Sequence, residues 1–257
     1  MTRRILALIA IGLVGGFLSG LFGIGGGVLM VPLLILVLKV DQRHASAMSL
    51  LAVLPAAIVG AVTYGFEGHV DLIAAALIAA GGIVGALIGT RLLRKLSLAW
   101  LRWLFIAFLL LMAVRMLIEM PEGTTRFEFT PIVVAGLLGL GVIVGVASGL
   151  FGIGGGVIFV PALTGIFAVT ELVAKGTSLL AMIPTATTGS IANLQARLVR
   201  LPDGLALGIS AALAAYPGAV VAHALPTRLS HILFAVLVLI VAAQLIVRAI
   251  REGRAGR

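Results

Sequence analysis

The decapeptide Ser19-Gly20-Leu21-Phe22-Gly23-Ile24-Gly25-Gly26-Gly27-Val28 recurs without change at Ser148 to Val157, an offset of 129 residues. Identity at all ten positions lies far outside low-complexity coincidence, and a chain built from two copies of one unit is expected to fold as two copies of one unit. The same offset carries Val31-Pro32 onto Val160-Pro161, Ser49-Leu50-Leu51-Ala52 onto Ser178-Leu179-Leu180-Ala181, Pro55 onto Pro184 and Gly60 onto Gly189. Further along, the frame slips by a few residues, yet Thr90-Arg91-Leu92 still resembles Thr227-Arg228-Leu229. The 257 residues therefore divide into repeat one (1–121), a polar linker (122–129) and repeat two (130–257), together a single domain.

The solvent of that domain follows from composition. Hydrophobic residues make up 61% of the chain and charged residues 11%, with a mean hydropathy of +1.26. A soluble domain carries about 45–50% and about 25%. No water-soluble fold hides that excess, so the outside faces lipid, and cytosolic enzymes, secreted modules and disordered proteins are excluded together. A net charge of +9 would suggest nucleic acid in a soluble protein. Here the basic residues sit in short breaks between apolar runs and form no patch interleaved with aromatics, so no nucleic-acid partner is expected. Cysteine is absent, which removes disulfides and thiolate metal sites. Arg3-Arg4 ahead of an apolar run mimics a signal peptide, but the run continues past Gly20 without an A-x-A-like site and reads as a retained first helix.

Each repeat reads as five apolar segments, at 5–23, 28–38, 47–66, 71–90 and 98–118, then 131–151, 157–169, 176–195, 203–225 and 230–249. Five is odd, so the repeats are expected to enter the membrane in opposite directions. With the N-terminus inside, the inner side receives Arg3, Arg4, Lys39, Arg43, Arg91, Arg94, Lys95, Arg197, Arg200, Arg248, Arg251, Arg254 and Arg257. The outer side receives Arg126, Lys175 and Arg228, while Arg102 and Arg115 fall in the fifth segment. That bias predicts a multi-pass cell (inner) membrane protein with both termini cytoplasmic. The expected fold class is an all-α polytopic membrane protein made of two inverted-topology repeats.

The second segment of each repeat is too short to cross. Val28 to Leu38 is 11 residues, which spans about 16 Å against a hydrocarbon core of about 30 Å. Each short segment follows three glycines and carries a proline, Pro32 or Pro161. The expectation is a re-entrant hairpin whose glycines turn at membrane depth, where irregular backbone survives only inside protein or beside a watery cavity. Matching glycine-broken segments in two inverted halves point to a midplane binding site. There Gly25, Gly26, Gly27, Gly154, Gly155 and Gly156 would present backbone N–H groups at helix N-termini to an anion. The competing reading is close helix packing, and it is favoured for the four-spaced glycines Gly12, Gly16, Gly20, for Gly141, Gly145, Gly149 and for Gly81, Gly85, Gly89. A dinucleotide fingerprint is a poor match, since no strand context exists.

Polar groups within the spans supply further candidates. Ser49 and Ser178 open the third segments, and Thr177 adjoins Ser178. Thr177, Thr188 and Gln195 fall within about 20° on a helix, with Ser178 and Thr185 about 100° away. This stripe either lines a pathway that donates hydrogen bonds to an oxyanion or serves as interhelical glue and back-bonding. His223 is a candidate for proton handling, and Arg115 and Arg102 for salt bridging or snorkelling. Lys175, read as a loop residue, would draw anions to the outer mouth or simply be solvated. No HExxH, nucleophile elbow or carboxylate cluster appears, so no enzyme chemistry, metal or cofactor is expected.

With Gly-Leu-Phe-Gly-Ile-Gly-Gly-Gly at 20–27 and 149–156, and Gly176-Thr177-Ser178-Leu179 after the second copy, the chain resembles the TauE/SafE family of sulfite exporters over essentially its whole length. The resemblance implies a bacterial or archaeal inner-membrane carrier for sulfite, sulfonates, thiosulfate or related anions, with proton coupling an open possibility. Repeat one departs from the pattern, with Ala47-Met48-Ser49 in place of Gly176-Thr177-Ser178. The expected activity is secondary transport of a small oxyanion by alternating access in a lipid bilayer, with homo-oligomerisation left open. A passive anion channel, a membrane enzyme and a scaffold are the alternatives.

Overall fold

In the computed structural model the chain is described over residues 2–97, 99–100, 103–104, 106–107, 110–111, 114, 124 and 127–255. The fifth segment expected over 98–118 falls largely outside these residues, as do Arg102, Arg115, Arg126 and most of the linker.

Apolar runs become helices wherever the sequence supplies an end. The helices are α1 (Thr2–Phe22), α2 (Gly27–Leu38), α3 (Gln42–Phe66), α4 (Leu72–Lys95), α5 (Pro131–Phe151), α6 (Gly156–Gly165), α7 (Glu171–Gln195), α8 (Leu201–Ala224) and α9 (Thr227–Ala255). Carboxylates and a hydroxyl cap their starts: Asp41 accepts from His44 N and Asp71 from Ala74 N, each at 2.9 Å, and Thr130 accepts from Val133 N at 3.3 Å. Arg43 closes the end of α4 by donating to the carbonyls of Leu93 and Leu96, both at 3.0 Å. No strand forms among the described residues; the one extended pairing is an isolated parallel bridge between Thr124 and Val169. That bridge docks the linker on repeat two and follows the early end of α6, at Gly165 rather than 169.

Six of these helices, α1, α3, α4, α5, α8 and α9, are long and apolar enough to cross a membrane. α7 has the length but carries Glu171, Lys175, four threonines, two serines, Asn193 and Gln195. It is shielded by its neighbours rather than by lipid. The outer surface is apolar, with Leu6, Ile73, Ile132, Ile143 and Leu213 all exposed, as a lipid-facing shell requires.

Small residues bring helix backbones together and reveal their directions. A Cβ on Gly81, Gly85 or Gly89 would meet the carbonyls of Leu138, Val142 or Val146 in turn, so α4 and α5 run parallel. Gly12, Gly16 and Gly20 meet Leu207, Ala211 and Ala215 in the same way, so α1 and α8 are parallel. The four-residue spacing expected to be a packing stripe is one in both places. Gly204 against Leu51 and Gly208 against Pro55 make α3 parallel to α8. Gly60 against Leu179 and Gly189 against Leu50 make α3 antiparallel to α7. The first helix of each repeat thus lies along the fourth helix of the other. α3 and α7 cross at the centre, where 72% of the α3 span is buried.

Candidate functional site

The glycine segments meet at that crossing. Gly23, Gly25 and Gly26 have φ of 67°, 74° and 71°, and their mates Gly152, Gly154 and Gly155 have 71°, 75° and 99°. Each bend therefore needs three residues in the left-handed region, which side chains with a Cβ enter at a cost of about 1–2 kcal/mol apiece. All residues from Gly20 to Val31 and from Ser148 to Val157 are buried. The bends touch: a Cβ on Gly27 would lie 2.6 Å from Ile153 Cα, and one on Gly156 2.7 Å from Ile24 C. Gly25 and Gly154 both face Val53 and Met182, residues that are themselves 129 apart.

Hydroxyls clasp each bend from the opposite repeat. Ser49 Oγ donates to Gly152 O at 2.9 Å, and Ser178 Oγ donates to Gly23 O at 3.0 Å. The two bonds are mates under the offset. A net hydrogen bond contributes about 0.5–1.5 kcal/mol, but a buried carbonyl left unpaired costs about 1–3 kcal/mol, so the clasps matter chiefly for what they satisfy. Gly26 and Gly155 are the N-caps of α2 and α6, and neither helix has a side-chain cap bond. The N-terminal N–H groups of two helices, with their positive dipole ends, therefore converge in a buried place.

The remaining predicted residues are distributed along α7. Thr177 Oγ1 accepts from Asp71 N at 3.0 Å and ties α7 to the loop between α3 and α4. Thr185 and Thr188 donate to the carbonyls of Ala181 and Pro184, four residues back. Thr177 and Thr185 are buried, Thr188 is half-buried and Gln195 is exposed at the helix end. The structure thus brings Ser49 and Ser178 to the bends, uses Thr177 as an acceptor for the start of α4, and leaves Thr185 and Thr188 bonded to their own helix.

Lys175 requires a correction. It lies in α7 rather than in a loop, because the helix starts at Glu171, five residues before the expected 176. Its side chain is 2% exposed, and the ammonium sits 2.6 Å from the Glu171 carboxylate. Ser230 on α9 completes a ring, accepting from Lys175 Nζ at 3.2 Å and donating to Glu171 Oε1 at 2.9 Å. Lys175 also packs its Cβ against Gly23, so the pair abuts the first bend. His223 stands nearby, its ring centroid 5.2 Å from that of Tyr64 and 5.4 Å from that of His69. Its Nδ1 donates to Ala219 O at 2.8 Å, and Tyr64 Oη donates to Gly20 O at 2.9 Å. Burial and His223 hold the His69 imidazole, in the loop after α3, below its usual pKa against the opposing pull of Glu67. Glu171, Ser230, Tyr64 and His69 escaped the sequence reading. The Glu171–Lys175 spacing of four was its one legible signal.

The sequence matches the family described as "Sulfite exporter TauE/SafE" over residues 1–116 and 137–257. A "Probable membrane transporter protein" of Xylella fastidiosa (strain Temecula1) is 34% identical over 172 residues, covering 65% of this chain and 65% of that relative. A second of that name, from Haemophilus influenzae, is 30% identical over 177 residues and 64% of each chain. "Probable membrane transporter protein YunE" of Bacillus subtilis is 38% identical over 89 residues, 35% of this chain and 33% of its own. The match thus spans just under two thirds of the longer-aligned relatives. No solved structure matches. Paired glycine bends, membrane-length helices and a family match through both repeats together place the chain in the TauE/SafE family.

Proposed function

We propose that the protein is a secondary transporter for a small oxyanion of the sulfite, sulfonate or thiosulfate class. The observation that carries this reading is the contact between two buried glycine bends that aim the uncapped N-termini of α2 and α6 at one place. Main-chain N–H groups and helix dipoles there favour an anion, while buried surroundings strengthen the interaction. The helix directions support inverted repeats: α1, α3 and α8 run one way, and α4, α5 and α7 the other. Equivalent helices are then antiparallel, and the bends are re-entrant turns near the level of Pro55 and Pro184. Thirteen of 18 basic residues lie on the proposed inner side, which orients both termini toward the cytoplasm.

Alternating access would rock one repeat against the other about the clasped bends. A passive channel draws no support from the packing, because Val53 and Met182 press on both Gly25 and Gly154 where a continuous aqueous path would run. His223, with His69 beside it, is the candidate for proton coupling at the outer end. The test is sulfite, methanesulfonate and thiosulfate flux into proteoliposomes with and without a proton gradient. Saturable flux supports the carrier; absence of flux for all three anions under either condition overturns it.

A further inference from the structure

The 129-residue offset also exposes where the repeats diverge. Glu171, Lys175 and Tyr64 surround the first bend, and their mates at that offset are Gln42, Ser46 and Asn193. The antiparallel crossing that sets Leu50 against Gly189 and Gly60 against Leu179 puts Ser46 level with Asn193, just as Tyr64 meets Gly176 at the other end. Gln42 lies one turn before Ser46, and Ser190 one turn before Asn193. Gly152 packs on Ser46, while Thr90 touches both Gly149 and Gly189, so α5, which carries Ser148, joins the same end.

These five side chains are no more than 5% exposed. Gln42 Nε2, the hydroxyls of Ser46, Ser148 and Ser190, and both amide atoms of Asn193 lack a hydrogen-bond partner among the described residues. Buried polar atoms are nearly always paired, and a cluster of unpaired ones asks for a ligand or water. The last carbonyls of α7 do not compete, since Ala192, Asn193 and Leu194 accept from Ala196, Leu198 and Arg197.

Resting on the transporter reading, we propose that Gln42, Ser46, Ser148, Ser190 and Asn193 form a subsite that holds the oxygen atoms of a small oxyanion through neutral donors, on the inner side of the bends. Hydroxyl and carboxamide donors bind an oxyanion without a fixed countercharge, which suits a site that must also release. Arg43, adjacent to Gln42 and fixed on the carbonyls of Leu93 and Leu96, adds positive potential at this end.

The chain has no cysteine, so the near-isosteric Ser190→Cys gives a single reporter thiol in the full-length protein. The reagent is 2-sulfonatoethyl methanethiosulfonate, with methanesulfonate or sulfate as the protecting anion. The expected result is labelling of the folded protein that methanesulfonate or sulfate slows saturably, with protection weakened roughly tenfold or more when Gln42→Glu adds a like charge. Equal melting temperatures for the two variants establish that both are folded. Absence of labelling in folded protein, or labelling that neither anion slows, overturns the subsite. Flux through the unmodified chain is measured alongside. Flux without protection sinks the subsite alone, and protection without flux sinks transport alone.

Discussion

Replacing Gly156 by alanine isolates the contact between the bends from the flexibility of glycine. Gly156 opens α6 with φ outside the left-handed region, so alanine meets no backbone penalty there. As a helix former alanine is better than glycine by about 0.8–1.0 kcal/mol. Any loss must therefore come from the new methyl group, which would stand 2.5 Å from Gly23 O and 2.7 Å from Ile24 C. Ordinary contact begins near 3.4 Å, so the bends must part by about 1 Å, a displacement that close-packed interiors resist. Overpacking of this kind costs about 1–3 kcal/mol, which leaves a net destabilisation of roughly 0–2 kcal/mol after the helix gain. Gly27→Ala faces the same geometry, 2.6 Å from Ile153 Cα. The double variant should cost less than the two singles together, because the first opens the interface for the second. Gly139→Ala is the control, an exposed helical glycine with nothing within 4 Å of its Cβ position. It should be neutral or gain up to about 1 kcal/mol. The readouts are melting in detergent and sulfite flux in proteoliposomes. Gly156→Ala should lower flux by far more than its small stability loss would reduce the folded fraction, because the N-termini of α2 and α6 no longer converge. Wild-type flux and wild-type melting together would refute the close bend contact.

The clasps predict that Ser49→Ala and Ser178→Ala each lose about 1–3 kcal/mol, since each strips a buried carbonyl of its partner; denaturant titration of the folded protein checks this. Lys175→Met should cost about 3–5 kcal/mol by leaving the Glu171 carboxylate buried without its cation, and Lys175→Met with Glu171→Leu should recover most of the loss in the same assay. At Asp41, burial works to raise the carboxyl pKa, but the His44 backbone N–H, ring and charge outweigh it and hold the group below its usual 3.8. A depressed folded pKa contributes stability that is complete above the unfolded value and lost as pH falls through the folded one. The melting-temperature gap between wild type and Asp41→Asn should thus be flat above about pH 5 and shrink below about pH 4.

The parts of this fold legible from sequence are those with a local cause. Gly25, Gly26, Gly154 and Gly155 announce bends because residues with a Cβ enter that left-handed backbone only at a cost, and the short lengths of α2 and α6 follow from counting. α3 and α7 begin five residues earlier than hydropathy suggests; at α3 the Asp41 cap sets the start, and at α7 the helix opens on Glu171 without a side-chain cap bond. Lys175 falls inside that earlier start, four residues after Glu171. A charge ends an apolar run on paper, yet in the fold Glu171 one turn back and Ser230 on α9 satisfy it. Ser49 and Ser178 were read as donors to a ligand, and in the structure those donors serve carbonyls of the opposite repeat. No local pattern reports a partner 103 or 155 residues away.

Identity and divergence between the repeats therefore carry different information. Where two copies of a segment pack against each other, each is part of the other's surroundings, and a change in one must be matched in the other. The decapeptide meets its own copy, which ties the two copies to one another: Gly27 faces Gly152 and Ile153, and Gly156 faces Gly23 and Ile24. The residues that flank each copy from outside the decapeptide are not tied in this way, and Glu171, Lys175 and Tyr64 part from Gln42, Ser46 and Asn193. One end carries an ion pair that Ser230 completes, beside unpartnered atoms on Ser19, His69 and His223, and the other carries hydroxyl and carboxamide groups with bonds to offer. A transporter whose two ends were chemically alike would hold its anion equally on both faces. Under the proposed function, a difference in apparent affinity between the two faces resides in these three diverged pairs, and exchanging two of them, Gln42→Glu with Ser46→Lys against Glu171→Gln with Lys175→Ser, should move the tighter-binding face to the other side of the bilayer, read as the half-saturation of sulfite flux from each side of oriented proteoliposomes.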